Sequence, residues 1–295
     1  MKNNIDIKKA VLLCAGKGVR LLPLTQTIPK HLIPIAGKPL IQYLIEYLKD
    51  VGISDILLVV GHLKEEIIKY LGTGQDFGLK INYIEQKEYL GTAHATKLAK
   101  EFIGNSYFFL IYGDLFFNSE IVSIAKTKFI NLLLRENIES LICLKQVKDP
   151  EKFGIIQLDN NGFLINIVEK PKDNKFGNLA NAGIYIFSPR IFECIEETKK
   201  SVRNEYELTD SIRILKDKNF KIFGLDISNY FWSDIGHPWQ IFDANTYQMD
   251  KLKIGYDCKK AIKGIIENNV TIQIHIKSTN LELIFQLVGI VINWL

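Results

Sequence analysis

The chain has 295 residues, a formal charge of +4, and 47% hydrophobic against 24% charged residues. That length suits one large domain, or a domain with an appendage, and that composition excludes disordered and collagen-like chains. So small a positive excess on so long a chain argues against a general nucleic-acid binder and suits anionic small substrates.

The first apolar run, AVLLC at residues 10–14, has the brevity of a buried parallel strand. Residues 40–51 set Leu40, Ile41, Leu44, Ile45, Leu48 and Val51 on one helical stripe. A strand at 55–60, a helix at 64–71, a strand at 81–84, a helix at 92–102 and a strand at 107–112 follow. This rhythm predicts an α/β fold, a doubly wound and mostly parallel sheet with helices on both faces. Further on, 154–158 and 163–168 flank Asp159-Asn160-Asn161-Gly162 and read as a hairpin with an Asn-Gly turn. A strand at 182–187, helices at 189–198 and 207–217, and a strand at 220–225 lead to a Trp-Ser-Asp-Ile-Gly turn. A helix from Pro238 to about Leu252 closes the region. The helices near Asp210 and Asp243 read as packing elements, as do Trp232 and Trp239. Beyond Gly255, Ile272, Ile274 and Ile276 alternate with polar residues as in a half-buried strand.

The chain ends read blandly at first. MKNNIDIKK is largely polar, and the apolar run after it is too short for a signal-peptide core, so a cytoplasmic protein is expected. Residues 283–295, LIFQLVGIVINWL, fall short of the ~20 apolar residues that span a membrane. The four cysteines, Cys14, Cys143, Cys194 and Cys258, are scattered without a CxxC pair, and no histidines lie at zinc spacing. Reduced, buried thiols are the reading.

The chemistry concentrates where the first strand ends, in Ala15-Gly16-Lys17-Gly18-Val19-Arg20. Glycines let backbone amides approach phosphate oxygens, Arg20 offers a bidentate fork, and Lys30, after Pro29, offers a point charge. Gly-x-Gly alone is often only a turn. This one lacks the third glycine of the dinucleotide fingerprint and the Gly-Lys-Ser/Thr ending of the P-loop.

The longer stretch LLCAGKGVRLLPLTQTIPKHLIPIAGKPL resembles the opening of the sugar-1-phosphate nucleotidyltransferases. Arg20, Pro23, Leu24, Thr25, Pro29, Lys30, Lys38 and Pro39 fit the family pattern. Val19 replaces its threonine and His31 the second proline of its Pro-Lys-Pro run. The resemblance covers about Lys9 to Asn245. It implies a Rossmann-like fold with a sugar-binding subregion inserted after Asp114. It also implies transfer of a nucleotidyl group from a pyrimidine NTP, UTP or dTTP, to a hexose 1-phosphate of glucose or N-acetylglucosamine type.

The resemblance also assigns residues. Ala15, Gly16, Lys17 and Gly18 would line the triphosphate, with Arg20 and Lys30 on it. Gln86, with Gly91 and Thr92 in Leu-Gly-Thr-Ala-His-Ala, would read the base, an amide offering both a donor and an acceptor. Gly113 and Asp114 close a parallel strand, and Asp114 with Asp234 would hold Mg²⁺, which takes one or two carboxylates plus phosphate and water. Taken alone, each aspartate is more often a turn former or a helix cap. Gly154, Glu169, Asn181 and Gly183 would line the sugar pocket, and Lys170 would restrain the sugar phosphate. His62, His94 and His237 are not read as catalytic, because a sugar phosphate is already ionised at neutral pH.

Residues 1–250 thus read as the nucleotidyltransferase domain, and 251–295 as a short appendage, a stub of a left-handed β-helix with no acetyltransferase activity. The expected partners are the NTP and the sugar phosphate, with no nucleic acid and no membrane, and a homo-oligomer as in relatives. Two alternatives stay open: a catalytically silent regulatory relative, and a bifunctional enzyme lacking its second activity.

Overall fold

The computed structural model describes residues 6–172 and 174–252. The appendage, Cys258 and the strand about Ile274 lie outside them. The chain divides into two units after Gln240.

In the first unit, β1 (Lys9–Cys14), the hairpin β2 (Pro34–Ile35) and β3 (Lys38–Pro39), α1 (Leu40–Asp50), β4 (Asp55–Val60), α2 (Lys64–Leu71) and β5 (Lys80–Glu85) come first. Then follow α3 (Thr92–Lys97), α4 (Lys100–Ile103), β6 (Phe108–Tyr112), β7 (Leu115–Phe117), α5 (Glu120–Glu136) and β8 (Ser140–Gln146). The remainder is β9 (Gly154–Leu158), β10 (Leu164–Glu169), β11 (Leu179–Phe187), α6 (Ile191–Glu197), α7 (Leu208–Asp217), β12 (Ile222–Asp226), β13 (Trp232–Asp234) and the start of α8 (Pro238–Lys251), which belongs to the second unit from Ile241 onward.

β1 lies between β4 and β6, parallel to both, and β5 continues the parallel core beyond β4. Sandwiched strands meet apolar surroundings on both faces, which is why Ala10, Val11, Leu12 and Cys14 are fully buried without alternation. The chain winds from β1 outward to β5 and returns on the other side as β6. The topological switch therefore falls between β1 and β6, and the crevice at their carboxyl ends is where such sheets gather ligands. No helix among the described residues is long and apolar enough to cross a membrane.

Beyond β6 the sheet turns antiparallel. β11 pairs with β6, β8 and β9, and β12 runs parallel to β8. The β9–β10 hairpin turns at the foreseen place by different means. Gly162 alone has a positive φ, 87°, and the Asp159 carboxylate accepts from the amides of Asn161 and Phe163. A separate two-strand ladder pairs β13 with β7, setting Asp234 opposite Leu115.

Three expectations need correction. The helix at 92–102 breaks into α3 and α4: the Thr96 hydroxyl bonds back to the Thr92 carbonyl at 2.8 Å, and Ala99 N turns tighter onto Thr96 O. The Trp-Ser-Asp turn is the strand β13. Helix α5 escaped the periodicity reading because Ile130 and Leu134 on its outer side blur the stripe made by Ile121, Val122, Ala125, Phe129 and Leu133. Cys14, Cys143 and Cys194 are free and buried, as foreseen.

Gly113 shows how tightly the crevice floor is built. A Cβ there would lie 2.3 Å from Cys14 Sγ, 2.9 Å from Leu13 O and 3.1 Å from His31 Cδ2. Gly113→Ala is expected to destabilise the protein by about 1–3 kcal/mol, read as a lower urea midpoint at unchanged slope. An unshifted midpoint would show that the floor can yield.

Candidate active site

The loop leaving β1 forms one wall of the crevice at the carboxyl ends of β1 and β6. Gly18 adopts the left-handed conformation (φ 65°), and its carbonyl accepts from the Thr25 hydroxyl at 2.8 Å, which folds the loop back on itself. Gly16 is exposed, and a Cβ on it would meet nothing within 4 Å, so its backbone faces open space. Lys17 lies over the Tyr89 ring, 5.0 Å from its centroid.

Lys30 sits in a tight turn closed by Leu32 N on Pro29 O, and only 7% of it is exposed. Its ammonium donates to Asp114 Oδ2 at 2.5 Å. Burial alone would raise the Asp114 carboxyl, but the Lys30 charge outweighs it and holds the group below the ordinary aspartate range. His31, next along, is buried with no partner for its Nδ1; burial first, and Lys30 second, bring its pKa to about 4, so it is neutral near pH 7.

The β7–β13 ladder brings Asp234 to Asp114, with Ile235 N donating to Asp114 O at 2.7 Å. Burial, and after it the Asp114 charge, push the Asp234 carboxyl up, against the pull of Lys30, Gln240 and Arg20. Gln240 Nε2 donates to Asp234 Oδ1 at 2.7 Å, while its Oε1 accepts from the amides of Gly236 and His237. Two like charges facing each other make an arrangement that a hard divalent cation relieves, and carboxylate oxygens are the donors it takes. The pair therefore fits Mg²⁺. Among the described residues no group of three or more His, Cys, Asp or Glu forms a self-sufficient metal cage.

Arg20 is exposed, its Nη1 3.2 Å from His237 Nε2. Trp239, expected as a packing residue, is 61% exposed and stacks on the His237 ring with centroids 4.3 Å apart. Trp232 does pack: its ring meets Phe153 edge-on and its Nε1 donates to Ala182 O. His62 Nε2 lies 3.3 Å from Thr25 O, a structural contact.

Where the sugar is expected, Gly154 and Glu169 meet directly, because a Cβ on Gly154 would stand 3.0 Å from Glu169 Oε2 and 2.7 Å from Thr209 Cγ2. Burial pushes the Glu169 carboxyl up, opposed by the Thr209 hydroxyl, which donates to Oε2 at 2.9 Å. Lys170 Nζ stands 3.9 Å from Glu169 Oε1. Asn181 is spent internally: its Nδ2 donates to Tyr185 OH and its Oδ1 accepts from Gly183 N. Gly183 has φ 73°, and a Cβ there would lie 2.8 Å from the Tyr112 ring.

The sequence reading missed the segment before α7. Arg203 Nη2 reaches Glu207 Oε1 at 2.6 Å and Glu169 Oε1 at 3.3 Å. The same segment grips the loop expected to read the base, with Tyr206 N on Leu90 O at 2.7 Å, Ala93 N on Tyr206 O at 2.9 Å, and Leu208 N on the Thr92 hydroxyl at 3.1 Å. A Cβ on Gly91 (φ 103°) would fall 2.5 Å from Tyr206 O, so glycine is required. The available signal was charge, Arg203, Glu205 and Glu207 crowded ahead of an apolar helical stripe.

The raised Asp234 carboxyl has a stability consequence. A folded pKa above the unfolded value means that stability falls as pH rises through the ordinary aspartate range and stays reduced above the folded pKa. Without divalent cation, Asp234→Asn is expected to raise the urea midpoint at pH 7, the gain shrinking as pH falls through the aspartate range. A lower midpoint at pH 7 would contradict the burial and charge argument.

Residues 9–251 match the family model described as nucleotidyl transferase. The chain is 42% identical over 264 residues to Bifunctional protein GlmU of Methanocaldococcus jannaschii, across 90% of this chain and 58% of that protein. It is 36% identical to the low-salt glycan biosynthesis nucleotidyltransferase Agl11 of Haloferax volcanii, across 90% of this chain and 71% of that one. The crystal structure of UDP-glucose pyrophosphorylase complexed with UDP-glucose superposes with a TM-score of 0.73 at 28% identity, covering 83% of this chain and all of that one. The chain thus spans under two thirds of the length of its GlmU relative. With the family model matched over most of its length and a crevice at the sheet's switch point, the chain belongs to the nucleotidyl transferase family.

Proposed function

We propose that the chain transfers a nucleotidyl group from UTP or dTTP to a hexose 1-phosphate, of glucose or N-acetylglucosamine type, with Mg²⁺ as cofactor. The observation that carries this reading is the meeting of Asp114, Asp234 and Lys30 beside the glycine loop. The names of the relatives, one of them a UDP-glucose pyrophosphorylase, agree with it.

In this reading the sugar phosphate oxygen attacks the α-phosphorus in line. The new P–O bond forms as the bond to the β-phosphate oxygen breaks, and pyrophosphate leaves. Both reacting phosphates are already ionised, so no base is needed and the protein supplies positioning and charge. Backbone amides about Gly16 and Gly18 face the triphosphate, and Arg20 and Lys30 offset the charge that gathers on pyrophosphate. Lys170 restrains the attacking phosphate, Glu169 receives sugar hydroxyls, and Gln86 meets the base. When bound to Asp114 and Asp234, Mg²⁺ would neutralise phosphate charge. The catalytic unit is assigned to residues 1–250. A reaction fed by nucleoside triphosphates is the ground for a cytoplasmic location.

Pyrophosphate release from mixtures of NTP, Mg²⁺ and hexose 1-phosphate tests the reaction. Arg20→Ala and Asp114→Asn are each expected to cut turnover at least ~100-fold, the scale of losing a preorganised charge partner in the transition state. Near-normal turnover in either variant removes that residue from the mechanism. No pyrophosphate with any pair of substrates would favour a silent binding relative.

A further inference from the structure

The Gln86 amide is oriented by the chain before any base arrives. Only 5% of Gln86 is exposed, at the end of β5 where its own amide N–H donates to Val60 O. Its Nε2 lies 3.3 Å from Gly91 O and 3.1 Å from His94 Nδ1. A carbonyl oxygen can only accept, and Gly91 O already accepts from Ala95 N as α3 begins. Reversing the amide would set two oxygens against each other at that distance. The amide nitrogen must therefore face Gly91, and its second hydrogen points to His94 Nδ1. That nitrogen must be an acceptor, so the His94 ring carries its proton on Nε2. Both amide hydrogens are taken, and among the described residues no donor reaches Gln86 Oε1.

We infer that His94 is a positioning residue that presents the Gln86 carbonyl, and not its NH₂, to the base, and so selects a ring edge that donates. Uracil and thymine carry an N3–H that the Gln86 carbonyl can accept. Cytosine, of the same size, has a bare N3 that would face it lone pair to lone pair. Without the His94 acceptor, only the longer 3.3 Å contact to Gly91 O holds the amide, and the carboxamide turns away from it more readily. It can then offer its NH₂ to a base that accepts. The inference rests on the proposed reading of Gln86 as the base contact and adds the residue that sets its polarity. His94 acts through Gln86 and need not touch the nucleotide itself.

The test compares UTP, dTTP and CTP in the full chain with His94→Leu, which removes the acceptor, and His94→Asn, whose side-chain oxygen can occupy the Nδ1 position. The readouts are kcat/KM from pyrophosphate release and nucleotide affinity by calorimetry. His94→Leu is expected to lower the UTP-over-CTP ratio by about 10–100-fold, mainly through nucleotide KM, because a site built for one hydrogen-bonding pattern then loses its polarity. The KM for hexose 1-phosphate should stay within about twofold, and His94→Asn should keep the ratio within about threefold of the unaltered protein. If the leucine variant does not fold, His94→Ala is read in the same way. Equal loss of UTP and CTP turnover, with the ratio intact, overturns the inference and leaves His94 a packing residue. If the unaltered protein uses CTP as well as UTP, the base reading itself fails and takes this inference with it.

Discussion

A nearly buried ammonium is tolerable only beside a carboxylate, and the Lys30–Asp114 pair is the contact on which the rest of the crevice depends. The two residues stand 84 positions apart and come from opposite sides of the topological switch, Lys30 from the turn after the glycine loop and Asp114 from just beyond β6. Removing either would strand a charge in a partly dry place, a loss of about 3–5 kcal/mol for a well-buried pair and less here because Asp114 keeps some exposure. The pair thus fixes the turn at 30–32 against the sheet. His31 packs behind it as a neutral ring, and the floor at Gly113 has no room to shift.

Asp234 pulls the other way. It is held near Asp114 by a three-residue strand, and its charge is disfavoured by burial and by its neighbour. The protein keeps an unfavourable carboxylate there by spending Gln240 to orient it, with both ends of that amide engaged. Electrostatic imbalance of this kind at a crevice marks a candidate functional position, in contrast to the satisfied ion pairs on the surface, whose contributions are small.

Much of the fold was legible, because the parallel core strands are continuous apolar runs and their helices carry clean stripes. The motifs singled out the glycine loop, Asp114, Asp234, Gln86 and Glu169, and the structure brings Lys30, Asp114 and Asp234 together. What the sequence could not disclose were pairings across long separations. Nothing in the string says that Lys30 meets Asp114 directly, that Asn181 is consumed by Tyr185 and Gly183, or that Trp239 lies on His237. β13 was read as a turn because three residues carry no period. Arg203 and Glu207 were passed over because charges ahead of a helix look the same in sequence whether they face water or one another, and only the 4% exposure of Glu207 tells the two apart.

The segment from Arg203 to Thr209 has a consequence for how specificity can change over time. It holds the base loop through Tyr206 and Leu208, and it holds Glu169 through Arg203 and Thr209. A substitution that shifts the backbone between Leu90 and Ala93, as distinct from one that only trims the His94 side chain, displaces the same short strap that holds Glu169. With the roles proposed for Gln86 and Glu169, nucleotide preference and sugar preference are coupled through that backbone. In that reading, a change of sugar made by moving the strap carries the loop at 90–93 with it, which favours paired changes over single ones.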